Sequence, residues 1–316
     1  MEPIASSMIH EWNEKLHSRK NKDGATGLIA VSFDQRNHGS REVDKLANEA
    51  WNTGNERHAQ DMFASYRKPY IYISKSITLI LWPVADGTAM DTSHLLTYIP
   101  SYIFPTSKHT ISNNIVLGVS LGGHAAWHCV MQDPRISTAI IIIGCPDYVR
   151  LMTDRACRSK LESWTRSSPP GAEFLGSKDF PNGLIEAVEK YDPAGLLLGE
   201  VKSRRDEVYS QDPTEQEKTR LMPLMESSLQ GKRILNMAGG ADRLVPYKCS
   251  EPFLSWLKNA TTPNGWFGNG KMVFEDIVFD GVGHEMSSGM VKEVHRFVLE
   301  TLEQPSMESA GRDSKI

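Results

Sequence analysis

The segment of this chain best able to do chemistry is Gly118-Val119-Ser120-Leu121-Gly122-Gly123. It follows an apolar run, Asn114 to Val119, and opens a helix-like one, Leu121 to Gln132. A serine between strand and helix, with glycine two residues before and two after, fits a turn so sharp that flanking side chains would collide. Such a turn exposes the Ser120 hydroxyl and aims the Leu121 amide at negative charge developing at a helix N-terminus. A serine hydroxyl is a weak nucleophile and needs a base that is itself held by an acid. Asp242 follows the strand-like run Arg233 to Ala241 and precedes Leu244-Val245-Pro246. His284 follows Lys271 to Asp280, in Gly281-Val282-Gly283-His284-Glu285. The order Ser, Asp, His, with separations of 122 and 42 residues, places each group after its own strand. Glu285 follows the base too closely to face its ring. The bland alternatives are an ordinary glycine-rich turn at Ser120, a turn-forming Asp242 and a surface-loop His284.

The elements that must position these residues alternate in type. Gly27 to Phe33, Asn114 to Val119, Thr138 to Ile143, Lys232 to Ala238 and Lys271 to Phe279 read as strands, the first three as buried apolar runs. Helical patterns cover Pro3 to Leu16, stretches of Arg41 to Tyr66, Thr92 to Ile103, Leu121 to Gln132, Glu251 to Lys258 and Ser287 to Glu303. Strands separated by helices predict an α/β fold with a doubly wound, mostly parallel sheet. Residues 147–230 break the rhythm with charge, Pro and Gly and short helical pieces, and are expected to form a helical lid. The expected organisation is a core in two parts, 1–146 and 231–303, the lid at 147–230, and a polar tail at 304–316.

On these residues the chain resembles an α/β-hydrolase-fold serine hydrolase. The resemblance spans about residues 1–303 and implies Ser120 as nucleophile, Asp242 as acid, His284 as base and the Leu121 amide as an oxyanion donor. Asp34-Gln35-Arg36-Asn37-His38-Gly39 resembles the family's D-x-R-x-x-G loop, which implies a structural tie beside the site. The implied reaction is cleavage of an ester or thioester of a small organic acyl substrate through an acyl-serine. The alternatives are an acyltransferase of the same fold and a catalytically inactive binding protein.

Two features depart from the family pattern. The family places about three strands, and a loop giving a second oxyanion amide, before the strand expected at residues 27–33. Only 26 residues precede it here, so no second donor is assigned and an uncovered sheet edge or apolar surface is expected. Asp34 and Ser120 are also 86 residues apart, longer than usual. The excess matches the aromatic, β-like stretch Arg67 to Asp86, whose removal leaves 66. That stretch is expected to be translated non-coding sequence, and Met1 not the natural start. A real hydrophobic collar or partner surface is the rival.

Composition closes off other classes. With 35 Lys and Arg against 39 Asp and Glu, the net charge of −4 offers no basic surface for nucleic acid. Four cysteines without a CxxC pair make neither a disulfide framework nor a thiolate zinc site. His124 and His128 stand four apart but lack an HExxH carboxylate, so packing is expected rather than a metal. Cys145 is expected to be an inert buried thiol, and Trp164 and Phe174 lid core or substrate contacts. No nucleotide-binding signature occurs, and no cofactor is expected. No stretch is apolar for long enough to span a membrane, which predicts a cytoplasmic protein, and Ser314-Lys315-Ile316 approximates a peroxisomal address.

Overall fold

The computed structural model describes residues 2–18, 26–66, 87–106, 108–199, 209 and 213–303. The expectations for Arg67 to Asp86, for the 304–316 tail and for Ser314-Lys315-Ile316 fall outside the described residues. In chain order the helices and strands are α1 (Glu2–Ser18), α2 (His58–Tyr66), α3 (Thr88–Ile103), β1 (Asn114–Val119), α4 (Leu121–Gln132) and β2 (Ile136–Ile142). There follow α5 (Tyr148–Arg158), α6 (Glu162–Thr165), α7 (Asn182–Tyr191), α8 (Pro193–Leu198) and α9 (Glu215–Leu229). The chain continues with β3 (Arg233–Gly239), α10 (Tyr247–Thr261), β4 (Val273–Phe279) and α11 (Ser288–Glu303).

The protein is therefore α/β. The four strands form one parallel sheet in the order β1-β2-β3-β4, with Val119 level with Ile142 and Ile142 level with Met237. Successive residues Ala139 to Ile142 of the inner strand β2 are fully buried. Neighbouring residues of a strand point to opposite faces, so both faces there are covered. The edge strands β1 and β4 are mostly half-buried.

The chain divides into two compact units, Gln35–Glu285 and Met1–Asp34 with Met286–Ile316. The first contains the sheet and two apolar cores. One gathers Trp127, Ile141, Ile234, Phe253 and Trp256. The other gathers Phe63, Tyr66, Tyr148, Phe174 and Phe180. In the second unit, α1 and α11 are linked by Glu11–His295 at 2.5 Å and Lys15–Glu303 at 2.6 Å, and buried Trp12 donates to the Thr26 carbonyl at 2.8 Å.

Two expectations change. Gly27 to Phe33 is not a buried strand. It makes no ladder with any described strand, and Ile29, Val31 and Phe33 are exposed. Extended backbone becomes a strand only when a neighbour takes up its amides and carbonyls. Arg41 to Tyr66 is helical only from His58, and before that it makes 3-10 turns at Gly39–Arg41, Leu46–Asn48 and Trp51–Thr53. Asn37 breaks the helix: its Oδ1 accepts from the Val43 and Asp44 amides at 2.9 and 2.7 Å, a side-chain alternative to helical pairing.

Candidate active site

The geometry begins at the end of β1. Ser120 has φ 55° and ψ −115°, a left-handed backbone that a side chain adopts only under constraint. A Cβ on Gly118 would lie 1.9 Å from the Gly122 carbonyl oxygen, so the turn tolerates no side chain there. The first turn of α4 also presses on the end of β2, where a Cβ on Gly123 would lie 2.9 Å from the Ile142 carbonyl oxygen. The Ser120 amide donates to that same oxygen at 2.9 Å, which fixes the elbow against β2. The Leu121 amide is in the first turn of α4, where no intrahelical acceptor exists.

Loops after β3 and β4 bring the other two groups. A Cβ on Gly239 would lie 2.5 Å from the Val282 and Gly283 carbonyl oxygens, so the missing side chain lets the loops touch. They are joined by Gly240 N–H to Phe279 O and Ala241 N–H to Val282 O, both 2.9 Å. Asp242 and His284 ride on these loops, with Asp242 Oδ2 2.8 Å from His284 Nδ1. His284 Nε2 is 2.8 Å from Ser120 Oγ. Asp242 Oδ1 accepts from the Leu244 and Val245 amides at 2.8 and 2.9 Å. The structure thus places Ser120, His284 and Asp242 in one hydrogen-bonded line, while Glu285 is exposed.

The Asp242 side chain is wholly buried. Burial alone would raise its carboxyl, but hydrogen bonds from His284 and from the Val245 and Leu244 amides hold it below the ordinary aspartate value. An ionised Asp242 keeps the His284 proton on Nδ1 and leaves Nε2 free to accept from Ser120.

A cavity of ≈ 390 Å³ opens at Ser120. Its wall includes Trp51, His58, His124, Arg155 and Leu244 as well as Leu121. Sequence reasoning missed Trp51, His58 and Arg155, because no local motif marks them; they come from a 3-10 turn, α2 and α5. The D-x-R-x-x-G-like loop is tied down by Arg36, which clamps Asp91 of α3 with bonds of 3.0 and 2.7 Å, and Arg41 adds another at 2.9 Å. His124 and His128 lie buried against the Tyr66 ring, with centroids 5.6 and 5.1 Å away. Burial lowers His124 to about 3, so its ring is neutral. Cys145 is buried, and burial pushes its thiol well up. Phe174 is wholly buried between Trp51, Trp164 and Phe180. Among the described residues no group of three or more His, Cys, Asp or Glu side chains is placed to hold a metal ion. No helix among them is long and apolar enough to cross a membrane.

No family model and no curated protein matches the sequence. Among solved structures, the chain is similar to an Arabidopsis thaliana SOBER1 variant at 13% identity and TM-score 0.33, with 68% of this chain and 65% of that one covered. It is similar to a Mycobacterium tuberculosis puromycin-hydrolyzing peptidase at 16% identity and TM-score 0.35, covering 65% of this chain and 24% of that one. It is also similar to a Mycobacterium smegmatis proline iminopeptidase at 16% identity and TM-score 0.29, covering 70% and 73%. The chain therefore spans just under two thirds of the SOBER1 chain's length and a quarter of the peptidase's.

Proposed function

We propose that this chain is a serine hydrolase of the α/β-hydrolase type, cleaving an ester or thioester of a small acyl substrate. The observation that carries the proposal is the line from Ser120 Oγ to His284 Nε2 and from His284 Nδ1 to Asp242, each step 2.8 Å, built on a strained turn. A hydroxyl hydrogen-bonded to an imidazole that is oriented by a buried carboxylate is poised to lose its proton as it attacks.

Ser120 Oγ adds to the substrate carbonyl while His284 Nε2 takes the proton. Asp242 stabilises the resulting imidazolium without taking the proton itself. The carbonyl oxygen, now an oxyanion, is met by the Leu121 amide at the positive end of α4. The Ser120 amide is committed to Ile142 and takes no part. The tetrahedral adduct collapses to the acyl-serine, and His284 returns the proton to the departing alcohol or thiol. Water then repeats the sequence and frees Ser120. The acyl group occupies the cavity beside Ser120.

A fluorophosphonate probe tests this at the serine itself. The wild type is expected to be labelled and Ser120→Ala not; a folded wild type that stays unlabelled would overturn the reading. Asp242→Asn should keep the fold and lower kcat by ~10³–10⁴, because its amide cannot hold the same imidazole tautomer. Near-normal turnover would place the acid elsewhere.

A further inference from the structure

The helix α5 carries three arginines, and two have carboxylate partners. Arg150 lies 3.4 Å from Asp147, and Arg158 lies 2.5 Å from Asp154. Arg155 has none among the described residues. Its Nη1 is 3.0 Å from both His58 Nε2 and Met62 Sδ, and its Nη2 donates to the Leu244 carbonyl at 3.1 Å. The His58 contact is between a cation and a neutral ring: His58 Nδ1 is 2.9 Å from the Glu49 carbonyl, to which it donates, so Nε2 accepts. Burial, with Arg155 beside it, lowers His58 to about 4. The guanidinium is thus held in place by neutral groups and keeps its whole charge.

Two residues in the wall of the Ser120 cavity, Trp51 and Arg155, each carry a buried donor, Nε1 and Nε, with no partner among the described residues. The cavity's acidic wall residue, Asp61, lies 3.6 Å from Arg57 instead. Unpaired buried donors are costly, and an uncompensated cation more so. Of the two arginines in the cavity wall, Arg158 is paired with Asp154 and Arg155 has no carboxylate among the described residues. Arg155 is therefore the one open to an anionic acceptor, and the fork of a guanidinium suits a carboxylate. A volume of ≈ 390 Å³ lies at the small end of ligand pockets, which limits the occupant to a small molecule.

We propose that this cavity selects small esters whose acyl chain ends in a free carboxylate, with Arg155 as the residue that binds it. This rests on the hydrolase reading for the ester but not for the carboxylate. Binding is therefore measured on Ser120→Ala protein, where no turnover intervenes. Monomethyl glutarate and dimethyl glutarate are each titrated by calorimetry. They share a chain and differ in one carboxylate. The half-ester is expected to bind at least ~10-fold more tightly; equal binding overturns the proposal without any change at Arg155. In the same background Arg155→Met should erase the preference and Arg155→Lys should keep part of it. A preference that survives intact in folded Arg155→Met also overturns the proposal. Loss of fluorophosphonate labelling in the wild type would strike the hydrolase reading alone, and a missing half-ester preference would strike the carboxylate assignment alone.

Discussion

Two apolar runs of nearly the same character end up in opposite states. Ile136–Ile142 is β2, bonded to β1 on one side and β3 on the other, and Ala139 to Ile142 are fully buried. Gly27 to Phe33 is extended, joins no described strand, and leaves Ile29 at 48%, Val31 at 53% and Phe33 at 40% exposure. Both have the composition of a strand. The difference shows that β-propensity describes fitness for a pleated, covered surface, and that neighbours decide whether the surface exists. Burial falls off within the sheet as well, from β2 and β3 at the centre to the edges β1 and β4.

The contrast can be broken or sharpened by substitution. The largest effect is expected from Gly118→Ala, whose new Cβ would meet the Gly122 carbonyl oxygen at 1.9 Å. Neither backbone can yield without opening the elbow, so a loss of about 4 kcal/mol or more is expected in urea unfolding. A loss below about 1 kcal/mol would mean that the elbow is far softer than it looks. Ile140→Ala, at the buried centre of β2, should cost about 2–5 kcal/mol through lost burial and the cavity left behind. The same truncation at exposed Ile29 should cost under about 1 kcal/mol. Equal costs at the two sites would show that residues 27–33 are covered in solution and would dissolve the comparison.

Acid should act on the buried region. Burial lowers His58 to about 4 and His124 to about 3, against 6.5 for a free imidazole. The unfolded chain binds these two protons as pH falls below about 6.5, and the folded protein refuses them until about 4 and 3. Stability should therefore decline through that window, by about 1.4 kcal/mol per pH unit for each histidine. Asp242, held below its ordinary value, adds a loss only at lower pH, as the pH falls through its folded pKa. Chemical denaturation from pH 7 to 4.5 measures the slope, and His58→Gln should remove about one proton from it. A slope unchanged by that variant would mean that His58 titrates normally. The smallest effect is expected at Gly27, where an added Cβ meets nothing within 4 Å. Gly27→Ala should move stability by no more than about 0.5 kcal/mol.

Much of the fold was legible because its signals are local. β1 and α4 begin and end where the apolar runs around Ser120 place them, and β3 and β4 fall within two residues of expectation. The errors lie where local pattern competes with distant partners. The charged stretch before His58 has helix-forming residues, yet Asn37 and its bonds to the Val43 and Asp44 amides turn it into a folded loop. Asn48, which donates to the Asn37 carbonyl at 2.6 Å, closes the same loop. Gly27 to Phe33 has the pattern of a strand, and no pattern reports a missing neighbour.

The sequence by itself determined the elbow. Its demand for glycine at 118 is a matter of atoms four residues apart, and a steric rule of that range is written in the residue types; at 122, by contrast, a Cβ would meet only the Gln35 side-chain end, at 3.1 Å. It also determined the order of Ser120, Asp242 and His284, because each stands just past a strand of one parallel sheet. Only the tertiary structure decided how near they come. Gly239, without a Cβ, lets the loop of Asp242 close onto the loop of His284, and that contact sets the 2.8 Å between them. Tertiary structure alone also left Arg155, in the wall beside Ser120, without a carboxylate among the described residues. Pairing of a charge depends on what stands within a few ångströms in space, and residues far apart in the chain settle that only once the chain has folded.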